Sequence, residues 1–436
     1  MTDPREQYLI RYAGSFAPFV VERAEGSWVH TTDGRRILDF TSGQISSTLG
    51  HNHPRVVAAI EHSLRTAIHL NSWMLAEDVL ELARRLAGLL PDPLDRTILL
   101  STGSETNEFA IRMAKVATGG FEIVGLTRSF HGLLAGTTSV TFSMGHKGSG
   151  PLMPGSYAVP APYCYRCPLQ LTRDSCELAC LDLGLDLVDQ QSVGALAGMI
   201  VEPVLSTGGV IPLPEGYLAA ARAACGQRGM LLIVDEAQTG LGRVGALFAS
   251  VADGVVPDIL TMSKTLGGGV PVGATVTSAA IEQACVDAGL MHITTHVNDP
   301  MLASVGLAVL DALEEEDLAA RAATLGEYLM AGLRELAERH EQIGDVRGRG
   351  LLVGLELVTD RGSKAPANAL GAAVTEECLR RGLSMNIVKG DGSQTNCFRM
   401  APPLTVTTAE IDLAVSIIDE ALTAVLASGP AHTARP

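Results

Sequence analysis

Apolar runs of strand length, alternating with segments of helical period, constrain this chain more than any other feature. The runs are Thr97 to Leu100, Ile123 to Leu126, Met199 to Val204, Met230 to Val234 and Ile259 to Met262; the helical segments include Glu105 to Ala117 and Tyr217 to Arg228. Runs that are predominantly apolar mark strands buried on both faces, so the pattern predicts an α/β fold with a mainly parallel sheet. The C-terminal third differs. It reads as one long helical stretch from about Met301 to His340, short strands near Leu351 to Leu357 and Phe398 to Ala401, and a last helix opened by the capping box Thr407 to Glu410. A second, smaller α/β unit is implied, and 436 residues with 47% hydrophobic content suffice for both cores.

A net charge of −16 argues against nucleic acid as a partner. The apolar stretch Gly194 to Leu205 is short and interrupted by Glu202 and Pro203, which argues against a membrane span. The N-terminus lacks the basic-then-apolar order of a secretory signal, so the expected location is cytoplasmic and the eight cysteines are expected to be mostly thiols.

Two residues at strand ends carry the chemistry. Asp235 follows Met230 to Val234, and a carboxylate at the end of a buried strand needs a cation nearby. Lys264 follows Ile259 to Met262 and opens a glycine-rich turn, the setting of a Schiff-base lysine. A protonated pyridine nitrogen would be the cation, so the pair points to pyridoxal 5'-phosphate (PLP). Ser101 to Asn107 runs from strand through a Gly/Ser turn into a helix; read alone it is an anion site or simply a well-capped helix. Phe130 in Ser129-Phe130-His131-Gly132 could stack on a flat ring or be core, and Gln238 could reach a phenolic oxygen or be a loop amide.

Taken together, Ser101 to Glu108, Phe130-His131-Gly132, Asp235 to Gly240 with Gly242-Arg243, and Ser263-Lys264 resemble the class III (omega) aminotransferases over nearly the whole chain. Within that family the chain is similar to the 2,2-dialkylglycine decarboxylases, through Leu38 to Gln44, Thr294 to Pro300, Gly348-Arg349-Gly350, Leu383 to Asn386 and Phe398 to Pro403. The resemblance implies PLP-dependent transferase fold type I: residues 1–48 as the N-terminal segment of a small domain, 49–310 as the large PLP-binding domain, and 311–436 as the rest of the small domain. It implies Lys264 as the Schiff-base residue, Asp235 as the pyridinium partner, and Phe130 as the stacking residue. Gly103, Ser104 and Thr295 of a second copy would hold phosphate, with His131, Glu202 and Gln238 completing the cofactor set. Arg399 would hold a substrate carboxylate. A homodimer or homotetramer is implied, with amino acids and α-keto acids as substrates.

Gln44 directs the expected reaction. PLP cleaves the substrate bond held perpendicular to its ring, and an amide can hold a carboxylate in that position while binding neutral carbon dioxide weakly. The expectation is a decarboxylating aminotransferase that takes a 2,2-dialkylglycine such as 2-aminoisobutyrate and gives the amino group to pyruvate. A non-decarboxylating class III aminotransferase or an amino-acid epimerase is the alternative, and a non-catalytic interaction protein is a second. Departures from the decarboxylase pattern at Phe130, where it carries tryptophan, and at Trp73 leave the α-substituents open.

The resemblance also implies a K+ or Na+ site at Leu70, Ser72, Thr295, Val297 and Asp299, and a second near Ala87, Leu90, Pro91 and Leu94. Cys164, Cys167, Cys176 and Cys180 have metal-like spacing outside that pattern; zinc, an iron–sulfur centre, a disulfide or free thiols all fit. His51 and His53 read as a turn before a helix at Arg55 to Ala67, and the acidic run Glu314 to Asp317 as a solvated helix face.

Overall fold

In a computed structural model, which describes residues 3–11, 16–143, 146, 150–389 and 396–428, the centre is a seven-stranded sheet. Its order is Leu94–Leu100, Gly273–Ser278, Ile259–Met262, Leu231–Asp235, Leu196–Val201, Glu122–Leu126, Ser156–Val159. The last five are parallel to one another. Gly273–Ser278 runs antiparallel to both strands it pairs with. Glu122–Leu126 and Ile259–Met262 are buried at every position, as strands sandwiched between helices must be.

Outside this one lie a two-stranded pair, Val204–Leu205 with Ile211–Pro212, and two larger sheets. Ile343–Arg349, Leu352–Asp360, Asn396–Met400 and Asn386–Lys389 form an antiparallel sheet. Val21–Glu25, Trp28–Thr31 and Arg36–Asp39 form another, whose fourth strand, Leu383–Ser384, comes from the C-terminal third and pairs in parallel with Arg36–Asp39. The two ends of the chain therefore share one sheet. One apolar core joins Leu38 and Phe40 to Leu260, Leu310, Leu355 and Ile418, so the smaller sheets are packed on the large one. The closing helix is Thr408–Ala427, with Thr407 and Glu410 forming the expected capping box. Among the described residues no helix is long and apolar enough to cross a membrane.

Two expectations need correction. The stretch from Met301 to His340 is two helices, Pro300–Glu315 and Leu318–Arg339, broken where Asp317 adopts φ 45°. Carboxylates crowding a helix C-terminus oppose its dipole, and aspartate enters the left-handed region more readily than most residues. The acidic run itself is exposed at all four positions, as a solvated helix face should be, and its carboxylates meet basic side chains: Arg55 pairs with Glu315, Arg85 with Glu314 at 3.4 Å, and His53 with Glu316 at 3.6 Å. The run Met199 to Val204 is likewise interrupted; the strand ends at Val201 and a two-residue strand, Val204–Leu205, follows. Pro203 has no N–H to give to a ladder.

Candidate active site

The carboxyl ends of the parallel strands meet at one cavity of about 250 Å³, where the connections of an open α/β sheet leave a crevice. Asp235 ends Leu231–Asp235, and Lys264 opens the turn Lys264–Gly267 after Ile259–Met262. Gln44, Gly103, Ser104, Phe130, His131, Asp235 and Lys264 all line this cavity.

Asp235 is held on every side. Asn107 Nδ2 donates to its Oδ2 at 2.7 Å, His131 Nδ1 lies 2.9 Å from the same oxygen, and the Ala237 N–H donates to Oδ1 at 3.0 Å. Asn107 is fixed in turn: it donates to the His131 carbonyl at 2.9 Å and accepts from Thr261 Oγ1 at 2.6 Å. This network orients one carboxylate toward the cavity. Asn107 and Thr261 were missed as site residues in the sequence. The available signal was an asparagine four residues after Gly103, which puts it on the same side of the helix as the cavity.

The helix Gly103–Thr118 begins at that cavity. Thr102 and Glu105 form a capping box, with the Glu105 N–H donating to Thr102 Oγ1 at 3.3 Å and the Thr102 N–H to Glu105 Oε2 at 2.9 Å. Both readings of this segment therefore coexist, since Gly103 and Ser104 still face the cavity. Close packing explains Gly103: a Cβ there would lie 2.8 Å from Ser263 Oγ. Gly132, at φ 132°, sits where a Cβ would meet Ser104 Oγ at 2.5 Å.

Burial pushes the Lys264 amine below its usual range, partly offset by Asp235; Arg399 adds to the depression. Arg399 is itself nearly buried, which lowers its pKa, with Glu202 opposing. Its Nη1 reaches Thr207 Oγ1 at 3.2 Å and Ser206 Oγ at 3.5 Å, and its Nε is buried without a partner among the described residues. Ser206 Oγ donates to Gln238 Oε1 at 2.7 Å, so Gln238 joins Arg399 through that hydroxyl. Glu202 accepts from the Phe130 N–H at 2.8 Å, behind the ring position. Burial raises the Glu202 carboxyl to about 7, with His131 opposing and Asp235 adding to the rise.

Gln44 occupies a strained turn, Ser42–Ile45, in which Ser42, Gly43 and Ile45 have φ of 45°, 65° and 63°. Asp39 braces it: its carboxylate accepts from the N–H groups of Thr41 at 2.9 Å and Gly43 at 2.8 Å, and His51 Nε2 lies 2.9 Å away. Burial alone would raise the Asp39 pKa, but the bonds from His51, Thr41 and Gly43 hold it lowered. Ser42 Oγ donates to the Ala401 carbonyl at 2.6 Å, two residues beyond Arg399. Strain that neighbouring groups over-determine in this way is a mark of a working site.

Thr295 is exposed and outside this cavity, and so is Trp73. Asp299 is buried and is not an ordinary turn residue: His69 Nδ1 lies 2.5 Å from Oδ1 and His296 Nδ1 2.6 Å from Oδ2. Those two imidazoles, absent from the expected cation set of Leu70, Ser72, Thr295, Val297 and Asp299, were overlooked in the sequence. His51 and His53 face carboxylates rather than each other, just ahead of the helix Pro54–Ser63. All eight cysteines are free thiols.

The set fits PLP. A buried carboxylate with donors on three sides suits a pyridinium, a helix N-terminus kept open by glycine suits a phosphate, and a buried amine suits a Schiff base. Comparison with known proteins agrees with this geometry. The family described as "Aminotransferase class-III" matches residues 11–422. An uncharacterised aminotransferase of Schizosaccharomyces pombe is 46% identical over 95% of this chain and 93% of its own length. The 5-aminovalerate aminotransferase DavT of Pseudomonas aeruginosa is 34% identical over 95% of this chain and 96% of its own. An amine transaminase from an uncultivated Pseudomonas species, solved with PLP bound, is 31% identical with a TM-score of 0.87, covering 95% of this chain and 98% of that one. The fold is α/β, of the type I kind seen in PLP-dependent transaminases, and the chain belongs to the class III aminotransferases.

Proposed function

We propose that this aminotransferase uses PLP to decarboxylate 2,2-dialkylglycines and passes the amino group to an α-keto acid such as pyruvate. The observation that carries the reading is Gln44, an amide held by a braced, strained turn in the same cavity as Lys264. PLP, when bound, accepts the electron pair released as the substrate bond breaks. Asp235 keeps the ring nitrogen protonated, and Gly103, Ser104 and Thr295 of a second copy hold the phosphate. Phe130 would supply an apolar face, and Gln238 would serve the ring's oxygen.

Gln44 would hold the departing carboxylate through its side-chain amide. Its neutral amide lets carbon dioxide leave, whereas a cation there would bind the charged ground state more tightly. Arg399, whose Nε is buried without a partner and whose Nη1 meets only the hydroxyls of Ser206 and Thr207 among the described residues, would bind the α-keto acid's carboxylate. Lys264, its pKa lowered by burial, holds and returns the proton at the α-carbon. The atoms balance: 2-aminoisobutyrate plus pyruvate gives acetone, carbon dioxide and alanine. A second copy is needed because Thr295 is outside its own chain's cavity, and the exposed Trp73, Met74 and Leu75 supply apolar surface for that contact. Asp299 with Leu70, Ser72, Thr295 and Val297 is proposed to hold K+ or Na+ at the same edge.

Plain amino transfer is the second reading, favoured by similarity to a relative named for 5-aminovalerate and by Phe130. The deciding experiment incubates the protein with PLP, K+, 2-aminoisobutyrate and pyruvate. Equal carbon dioxide and alanine support decarboxylation; alanine formed only from α-hydrogen amino acids or terminal amines supports the second reading.

A further inference from the structure

Far from the PLP cavity in function, a second cavity of about 310 Å³ is lined by Cys164, Cys167, Cys176 and Cys180. All four are free thiols, ranging from exposed at Cys164 to buried at Cys180. Two come from the turn Cys164–Arg166 and the residue after it; Cys176 follows the turn Arg173–Ser175, and Cys180 lies in the first turn of the helix Ala179–Gln191. We propose that these four thiols are the ligands of a structural zinc ion. The spacing, one pair separated by two residues and one by three, is that of zinc sites built from thiolate pairs. An iron–sulfur centre uses the same ligand type, but transamination has no step that needs an electron carrier.

The four sulfurs do not lie around one point. Among the described residues, the group of potential ligands within 4.8 Å of one another is His69, His296 and Asp299, so the thiols surround their cavity without converging. Cys164 Sγ instead faces the Pro162 carbonyl and Cys176 Sγ the Arg173 carbonyl, each at 3.7 Å. Short turns carry three of the four, and rotation of side chains on such turns can bring sulfurs together around an ion. Binding replaces four S–H bonds by four Zn–S bonds and releases four protons to solvent, leaving a net charge of −2 on the centre. Arg173, which lines the same cavity, is the near cation.

The position gives such an ion a structural task. Between the large sheet and the antiparallel sheet, this loop is a bridge: Tyr163 donates to Glu356, Arg166 Nε donates to the same carboxylate at 2.8 Å, and Lys364 Nζ donates to the Tyr165 carbonyl at 2.7 Å. Glu356 pairs across its sheet with Cys397, two residues from Arg399. Zinc would fix the loop that holds the strand beside the substrate-binding arginine.

The test is metal analysis of the PLP-loaded protein produced with zinc(II) in the medium and dialysed without chelator. The expected result is about one zinc per chain, lost at least about tenfold in Cys164→Ser, whose exposed position tolerates serine. A His69→Ala/His296→Ala variant should keep its zinc, which separates the thiols from the histidine pair. Cobalt(II) substitution should add a thiolate-to-metal charge-transfer band that Cys164→Ser loses, a signature independent of activity and of zinc retention. Zinc that is absent from the parent protein, or lost with the histidines, overturns the proposal. Iron with acid-labile sulfide, or intact disulfides without metal, does the same.

Discussion

The cofactor side and the substrate side of the cavity are built on opposite plans. On the cofactor side most polar groups are committed: Asp235 has three donors, Asn107 is bonded at both ends, and Glu105 caps the helix that carries Gly103 and Ser104, while His131 Nε2 is the buried atom left without a partner among the described residues. On the substrate side polar groups are kept in reserve. Among the described residues Arg399 has a buried Nε with no partner and only hydroxyls on its Nη1, and the Gln44 side chain is exposed rather than packed away. Satisfied networks are rigid, whereas a buried group left open costs stability until a ligand meets it. The lesson is that one half is organised before any ligand arrives and the other is completed by the substrate.

The harshest test of the prebuilt half is Lys264→Ala. Loss of the acid–base group should cut turnover by at least about a thousandfold, and the absorbance of the lysine-bound cofactor should vanish from the visible-edge spectrum. Retained turnover would remove Lys264 from the chemistry. Asp235→Asn keeps the shape but removes the charge; turnover should fall by about a hundredfold or more, on the scale of losing one preorganised electrostatic partner, with cofactor still bound by equilibrium dialysis.

Effects on the substrate half should divide by ligand. Arg399→Ala should raise KM for pyruvate by about ten- to a hundredfold, the worth of a charge-assisted hydrogen bond, yet leave an aldehyde acceptor without a carboxylate nearly unchanged. An equal rise for both would erase the assigned distinction. Gln44→Ala should depress carbon dioxide release from 2-aminoisobutyrate far more than amino transfer from alanine, and equal losses would count against its proposed role.

Glu202 lies between the two halves and yields the smallest effect, read in stability. Its folded pKa of about 7 lies above the usual carboxyl value because burial penalises the ion. The folded state therefore holds the proton more tightly than the unfolded chain. Stability should decline as pH rises from the unfolded value through about 7 and level off above it. Glu202→Gln still accepts from the Phe130 N–H and cannot ionise, so its melting temperature should be flatter over that window than the parent's. Parallel curves would show that Glu202 does not titrate there.

Much of this molecule was legible before any coordinates. Runs such as Ile123 to Leu126 and Ile259 to Met262 are buried on both faces, so their apolar continuity reports their layer directly. Asp235 and Lys264 were legible for the same reason, as charged groups directly after such runs. The break at Asp317 was not, because helical period continues on both sides of it and only the crowding of carboxylates at the turn decides it. Nor was the brace of Asp39 on the Gln44 turn, since Thr41, Gly43 and His51 act on one carboxylate only after the chain has folded back.

By itself, then, the sequence determined the layers, the strand ends and the residue types that stand on them, because hydrophobic period and local turn chemistry are properties of neighbours in the chain. Tertiary structure alone decided which side chains meet. Asn107 reaches Asp235 across 128 positions, Ser42 reaches Ala401 across 359, and His69 joins His296 at Asp299 across more than two hundred. Hydrogen bonds act over about 3 Å, and no periodicity in a sequence specifies separations that short between residues so far apart.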